Sequence, residues 1–139
     1  MSEQNKDIIR RMIEDHWNAK NHAIVGEFFA PIVSLHTPDG TLNGLDGASA
    51  LLEAYATGFP DFRLTIDDAV AENDKVVVRM TFTGTQRGPL ADIRATGRGV
   101  SVPNVIHIFR LTAGKVSEAN MCWDRYALRQ QLGVLPATS

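Results

Sequence analysis

A chain of 139 residues with 44% hydrophobic and 22% charged residues and a formal net charge of −2 has the make-up of one globular domain. It is long enough to bury roughly two thirds of the surface its unfolded chain exposes. The near-neutral balance lacks the basic field that phosphate binding relies on, so nucleic acid is not an expected partner. A single cysteine, Cys122, allows no intrachain disulfide and no Cys-rich zinc cluster. No run approaches the ~20 apolar residues of a membrane span, and the first residues lack the apolar stretch of a signal peptide. A cytoplasmic protein that does not enter membranes is expected.

Apolar residues at Ile9, Met12, Ile13, His16 and Trp17 follow the i, i+3, i+4, i+7, i+8 spacing of an amphipathic helix over Lys6 to Lys20. A second, short helix is expected from His22 to Phe29, ending before Pro31 because proline disfavours helix in the residue ahead of it. Val33, Leu35 and Thr37 alternate with Ser34 and His36, which reads as a short strand with His36 facing away from Leu35. Pro38-Asp39-Gly40 is a turn. Leu45 to Gly58 resumes the helical pattern through Leu51, Leu52 and Tyr55, with Pro60 past its end. Strands follow from Phe62 to about Glu72 and from Lys75 to Gln86, joined at Asn73-Asp74. The second carries Val76, Val78, Met80 and Phe82 on one face. Arg87 to Gly99 is a Gly- and Pro-containing loop of a length that often serves function, expected at a pocket mouth.

The closing stretch, Asn104 to Gly133, carries the most information. Ala113-Gly114 is a two-residue hairpin turn, with Gly114 suited to the positive φ such turns require. Counting back from a Thr112–Lys115 pair, Leu111 faces Val116, Phe109 faces Glu118, His107 faces Asn120 and Val105 faces Cys122, all on one side of the sheet. Asp124 shares that side. An apolar face interrupted by His107, Asn120 and Asp124 is either a satisfied polar network or the lining of a wet cavity, because an unpaired buried polar group costs about 1–3 kcal/mol. Asp124 also directly precedes RYALRQQL, a helical run, where an aspartate caps well. Gly133 suits the end of that helix and Pro136 the stop beyond it. Helices followed by long, hairpin-linked strands give an α+β order, with helices packed on one face of an antiparallel sheet around a pocket.

These residues resemble the SnoaL-like polyketide cyclases of the NTF2-like superfamily over nearly the whole chain. The pieces are HWNAKN at the end of the first helix, VSLHTPDG, MTFTGTQRG, and VIHIFRLTAGKVSEANMCWDRYALRQQLG. The resemblance implies a cone in which a curved antiparallel sheet and three N-terminal helices enclose a deep pocket. It places His107 in that pocket and makes Asp124, just ahead of a helix ending in QLG, the catalytic carboxylate. His36 matches a segment that carries a polar pocket residue, and Trp17 a bulky position that shapes the cavity. With Tyr55, Met80, Asn120 and Cys122 these are the expected substrate-binding residues.

The implied reaction is an intramolecular aldol ring closure of a small hydrophobic, carbonyl-containing substrate, run by acid/base catalysis without metal, nucleotide or other cofactor. The protein would supply orientation, worth ~7–11 kcal/mol, and proton transfer. Along an unbent strand Asp124 would lie roughly 13 Å beyond the partner of His107, so the two would grip separate parts of the substrate. An isomerase, an epoxide hydrolase or a non-catalytic ligand-binding domain are the competing readings. Arg79 and Arg110 fall on the face away from the pocket, which argues against the Asp-Arg-Asp arrangement of the hydrolase. A homodimer through the outer sheet face, or a higher homo-oligomer, is implied by the resemblance.

Overall fold

The computed structural model describes residues 2–134. Its elements are α1 (Ser2–Arg11), a π-helical segment (Met12–Asn18), a 3-10 turn (His22–Ile24), α2 (Val25–Phe28), β1 (Phe29–Thr37), β2 (Gly40–Asn43), α3 (Gly44–Gly58), β3 (Arg63–Glu72), β4 (Lys75–Thr85), β5 (Gly99–Thr112), β6 (Lys115–Cys122) and α4 (Arg125–Leu132). The six strands form one sheet in the order β2-β1-β6-β5-β4-β3. Neighbours run antiparallel except β1 and β6, which are parallel. The expected α+β architecture is present, as a mixed rather than a wholly antiparallel sheet.

Register shifts interrupt the ladders at Ile66/Asp68, Met80/Phe82 and Arg110/Leu111. An extra residue in one strand bends it and raises its twist, so these bulges curve the sheet. The concave side takes the helices: α1 packs on β3 and β4, α3 on β1 and β2, and α4 on β5. Alternation along β5 buries Val105, His107, Phe109 and Leu111 and exposes Ile106, Ile108 and Arg110. The core thus lies between the helices and the inner side of β4, β5 and β6, with Phe29, Phe59 and Phe109 among its fully buried side chains.

The last bulge corrects the expected hairpin register. Thr112↔Lys115 and Leu111↔Val116 pair as counted, but beyond Val116 the strands slip by one residue. Phe109 then lies opposite Ala119, His107 opposite Met121, Ile108 opposite Asn120 and Ile106 opposite Cys122. A one-residue slip moves every later side chain to the other face. Asn120 and Cys122 are therefore exposed on the outer side, and Ala119 and Met121 take the core positions.

The first helix differs as well. Its second half winds as a π-helix over Met12–Asn18, with Met12, Ile13, His16 and Trp17 all buried. Asn18, at its end, closes the free edge of β3. Its Nδ2 donates to the Leu64 carbonyl at 2.9 Å and its Oδ1 accepts from the Leu64 N–H at 2.7 Å, as a neighbouring strand would. Backbone groups on a sheet edge invite another chain unless they are occupied.

The strand placed at Val33 begins earlier, at Phe29, and takes in Pro31. Proline is tolerated there because the ladder to β6 is interrupted between Phe29 and Ser34, so its missing N–H breaks no sheet bond. The loop after β4 is held by Gln86, which is fully buried. Gln86 Oε1 accepts from the Thr96 N–H and hydroxyl at 3.0 and 2.8 Å, and its main chain pairs with Gly97 and Arg98. Leu90 and Ile93 are drawn inward and bond to each other through their backbones. α4 spans the residues expected of it, with Gly133 at φ 74° closing its end. Pro136 lies outside the described residues.

Candidate active site

Two adjoining spaces lie on the concave side. The inner one is a cavity of about 70 Å³ between Trp17 of the π-helical segment, Leu51, Leu52 and Tyr55 of α3, Phe62, Leu64 and Phe82 from the β3–β4 region, Val102, Val105 and His107 of β5, and Trp123 and Leu128 at the start of the closing helix. The outer one, about 340 Å³, is bounded by the β1–β2 turn, α3, the loop residues Leu90, Ala91 and Ile93, and Arg125 and Arg129 of α4. Leu51, Tyr55, Trp123 and Leu128 belong to both and form the partition. At the mouth the charges are paired: Arg125 with Asp39 at 3.1 Å and Arg129 with Asp92 at 3.5 Å.

His107 is the polar group of the inner cavity. It is 4% exposed, stacked edge-on against Trp17 at 5.6 Å and Phe109 at 5.7 Å. Neither ring nitrogen has a hydrogen-bond partner among the described residues. Burial pushes its pKa down to about 3, so the imidazole is neutral at physiological pH, with one N–H to donate and one lone pair to accept. The indole Nε1 of Trp123 is likewise buried with no hydrogen bond of good geometry among the described residues, although the Tyr55 hydroxyl lies close to it. Burial raises the Tyr55 pKa, with the Asp39 carboxylate adding to it, so that hydroxyl stays protonated. The lining is otherwise apolar.

A buried neutral histidine makes stability depend on pH. The unfolded chain takes up the His107 proton near 6.5, the native chain only near 3. Between those values the unfolded state binds more protons, so acidification destabilises the fold by about 1.4 kcal/mol per unit of pH for one such group. His16, whose Nδ1 bonds to the Asn21 carbonyl at 2.7 Å, is also shifted down by burial and adds to the slope. Thermal melts in a pH series are expected to show the loss begin below about 6.5, and a melting temperature flat across this window would contradict it.

Of the residues expected to bind substrate, the structure brings Trp17, Tyr55 and His107 to the cavity. Met80 faces the same side but is fully buried in the core and lines neither space. His36 is on the outer face, where Nδ1 meets the Thr41 hydroxyl and Nε2 meets Glu118, both at 3.1 Å. Asn120, its neighbour across β1–β6, and Cys122 share that outer face. Asp124 lines neither space; it is exposed, and its Oδ1 accepts from the Ala127 N–H at 2.8 Å, capping α4. Arg79 and Arg110 are exposed on the outer side, near Asp67 and Asp74.

The sequence reading missed Leu51 and Trp123 as walls. Leu51 was legible from its spacing of four to Tyr55, which puts both on one helix face. Trp123 was not, because its direction depends on where β6 ends.

Comparison with known proteins agrees with this fold. The sequence pattern of the family described as SnoaL-like polyketide cyclase matches residues 7–132. No curated protein matches the chain. Among solved structures, a protein of Jannaschia Sp. CCS1, provisionally named a SnoaL-like polyketide cyclase, superimposes with a TM-score of 0.89 at 25% identity, over 97% of this chain and 95% of that one. TsrD from Streptomyces laurentii follows at 0.85 and 31% identity, over 95% and 96%. AclR from Streptomyces galilaeus, provisionally named a hydroxylase, reaches 0.85 at 26% identity, over 98% and 100%. With a match across nearly all of its length and a fold shared from end to end, the chain belongs to the SnoaL-like polyketide cyclase family.

Proposed function

We propose that the chain closes a ring by intramolecular aldol condensation of a polyketide-type substrate, without a cofactor. A proton leaves an acidic carbon between carbonyls, the resulting enolate forms a carbon–carbon bond to a second carbonyl, and the new alkoxide takes up a proton. The observation that carries this reading is His107, a neutral imidazole with no hydrogen-bond partner among the described residues, at the wall of an apolar cavity. A buried polar group left unpaired costs about 1–3 kcal/mol, and a ligand carbonyl or enolate oxygen that accepts its N–H recovers that loss. Held in place, the oxygen is polarised where negative charge develops. Trp17 and Tyr55 shape the space, and Tyr55 keeps a hydroxyl proton at the partition.

Asp124 is the proton-exchanging group in this proposal. It follows Trp123 of the partition, so a substrate long enough to protrude from the inner cavity reaches the start of α4. Conversion of an aromatic polyketide methyl ester with several activated carbonyls to its ring-closed isomer, unaffected by a chelator, is the direct test. Unchanged substrate throughout such a panel would overturn the proposal. A non-catalytic ligand-binding domain is the second reading, favoured by the exposure of Asp124 and its engagement as a cap.

The assembly proposed with it is a homodimer through the outer sheet face. Ile106 and Ile108 are 39% and 40% exposed there, beside Cys122 and Asn120 across the hairpin. Light scattering is expected to give twice the chain mass, and Ile108→Glu to halve it; a monomeric wild type would refute this arrangement.

A further inference from the structure

We propose that Trp123 is a carbonyl-orienting donor, its indole N–H sharing one ligand oxygen with His107, and that the ligand is an uncharged, elongated ketone or ester lying across the partition between the two spaces. This deepens the reading above and rests on its carbonyl ligand.

An indole is a donor only, and a buried tryptophan ordinarily reaches an acceptor with its N–H. Here Nε1 is closed off from solvent and makes no hydrogen bond of good geometry among the described residues; the Tyr55 hydroxyl, the polar group close to it, interacts with it only loosely. Trp123 contacts the inner cavity and the outer space at once, and its ring lies 6.3 Å from that of His107 and 5.7 Å from that of Tyr55. The two side chains thus line the same inner cavity, Trp123 at its boundary with the outer space. If Trp123 served only as an apolar wall, phenylalanine would do as well and would leave no orphaned donor.

Size gives the ligand its shape. The inner cavity, about 70 Å³, is smaller than the ~150 Å³ that benzene fills in an engineered protein cavity. Only the narrow end of a ligand enters it, and the bulk occupies the larger outer space. The mouth gives the charge. Arg125 and Arg129 are engaged by Asp39 and Asp92, so no free cation among the lining residues of the outer space selects an acid.

Acetophenone and α-methylstyrene, which differ in C=O against C=CH₂ at nearly the same shape, are the probes. Wild-type protein is expected to bind the ketone about tenfold more tightly than the alkene, as one hydrogen bond to a buried donor predicts. Trp123→Phe is expected to lose most of that preference while keeping its affinity for the alkene. In the ¹H–¹⁵N spectrum the Trp123 indole resonance, assigned by its absence from the variant, is expected to move with the ketone and not with the alkene. Should the variant fail to fold, assignment through contacts to Tyr55 lets the wild-type shift decide. Equal affinity for the two probes in the wild type would overturn both the carbonyl ligand and the role of Trp123. A ketone preference that survives Trp123→Phe, with an unmoved indole resonance, would overturn the role of Trp123 alone.

Discussion

Asp124→Asn is expected to lower turnover ~100-fold or more while leaving the melting temperature almost unchanged, and Asp124→Ala to lose the activity together with some stability. The asymmetry follows from the observed and the proposed role of the carboxylate. As the N-cap of α4 it accepts the Ala127 N–H at 2.8 Å, and asparagine accepts the same bond about as well, whereas alanine forfeits ~1 kcal/mol. As an acid/base it must give and take a proton, which an amide cannot do. Steady-state rates beside thermal melts of the three proteins separate the roles. If the Asn variant turned over at the wild-type rate, Asp124 would be a cap and nothing more, and the proton exchange would have to be assigned to another group.

His107→Leu is expected to make the protein more stable and less useful. Leucine fills much of the imidazole's space without leaving a buried donor and acceptor unpaired, a relief of about 1–3 kcal/mol. The contacts to Trp17 and Phe109 lose their edge-on geometry, which offsets part of the gain. Loss of the group proposed to hold the substrate oxygen is expected to remove turnover. Such a trade of activity for stability is common where a site keeps groups unsatisfied for its ligand. The variant also carries a fingerprint that a simple packing change lacks: its stability should fall less steeply below pH 6.5, because the depressed His107 titration is gone. A lower melting temperature with the acid slope intact would show that the imidazole is a satisfied core residue.

The same stretch of chain shows what sequence could and could not convey. The turn at Ala113-Gly114, the extent of α4 and its Gly133 end were legible, because each depends on residues within a few positions: both turn residues take positive φ, 53° and 78°, and the cap is made locally. The His107 face was legible too, since β5 alternates without a break from Val105 to Leu111. The partner face failed at one bulge. In VSEANM the apolar residues Val116, Ala119 and Met121 are spaced three and then two apart, a break in period 2 that marks the extra residue. Two bonds of long range were beyond local reading: the grip of Gln86 on Thr96 and the meeting of Asn18 with Leu64. The position of Asp124 outside the cavity lining also depends on the sheet's curvature, which several bulges set together.

The parallel pairing of β1 with β6 has a consequence for how the chain reaches this state. Strands β3 to β6 form a meander of neighbours in sequence and can zip up as each turn closes, but Leu35 waits for Ala119 and His36 for Asn120. Bringing such distant segments together loses loop entropy before any contact rewards it, and topologies rich in such pairings fold slowly. On the ribosome, β1 and β2 emerge early and must stand with Val33 and Leu35, later fully buried, open to water until the last third of the chain is made. The N-terminal half is therefore the part most exposed to misassociation during synthesis, and the cavity, whose walls come from both halves, is among the last features to form.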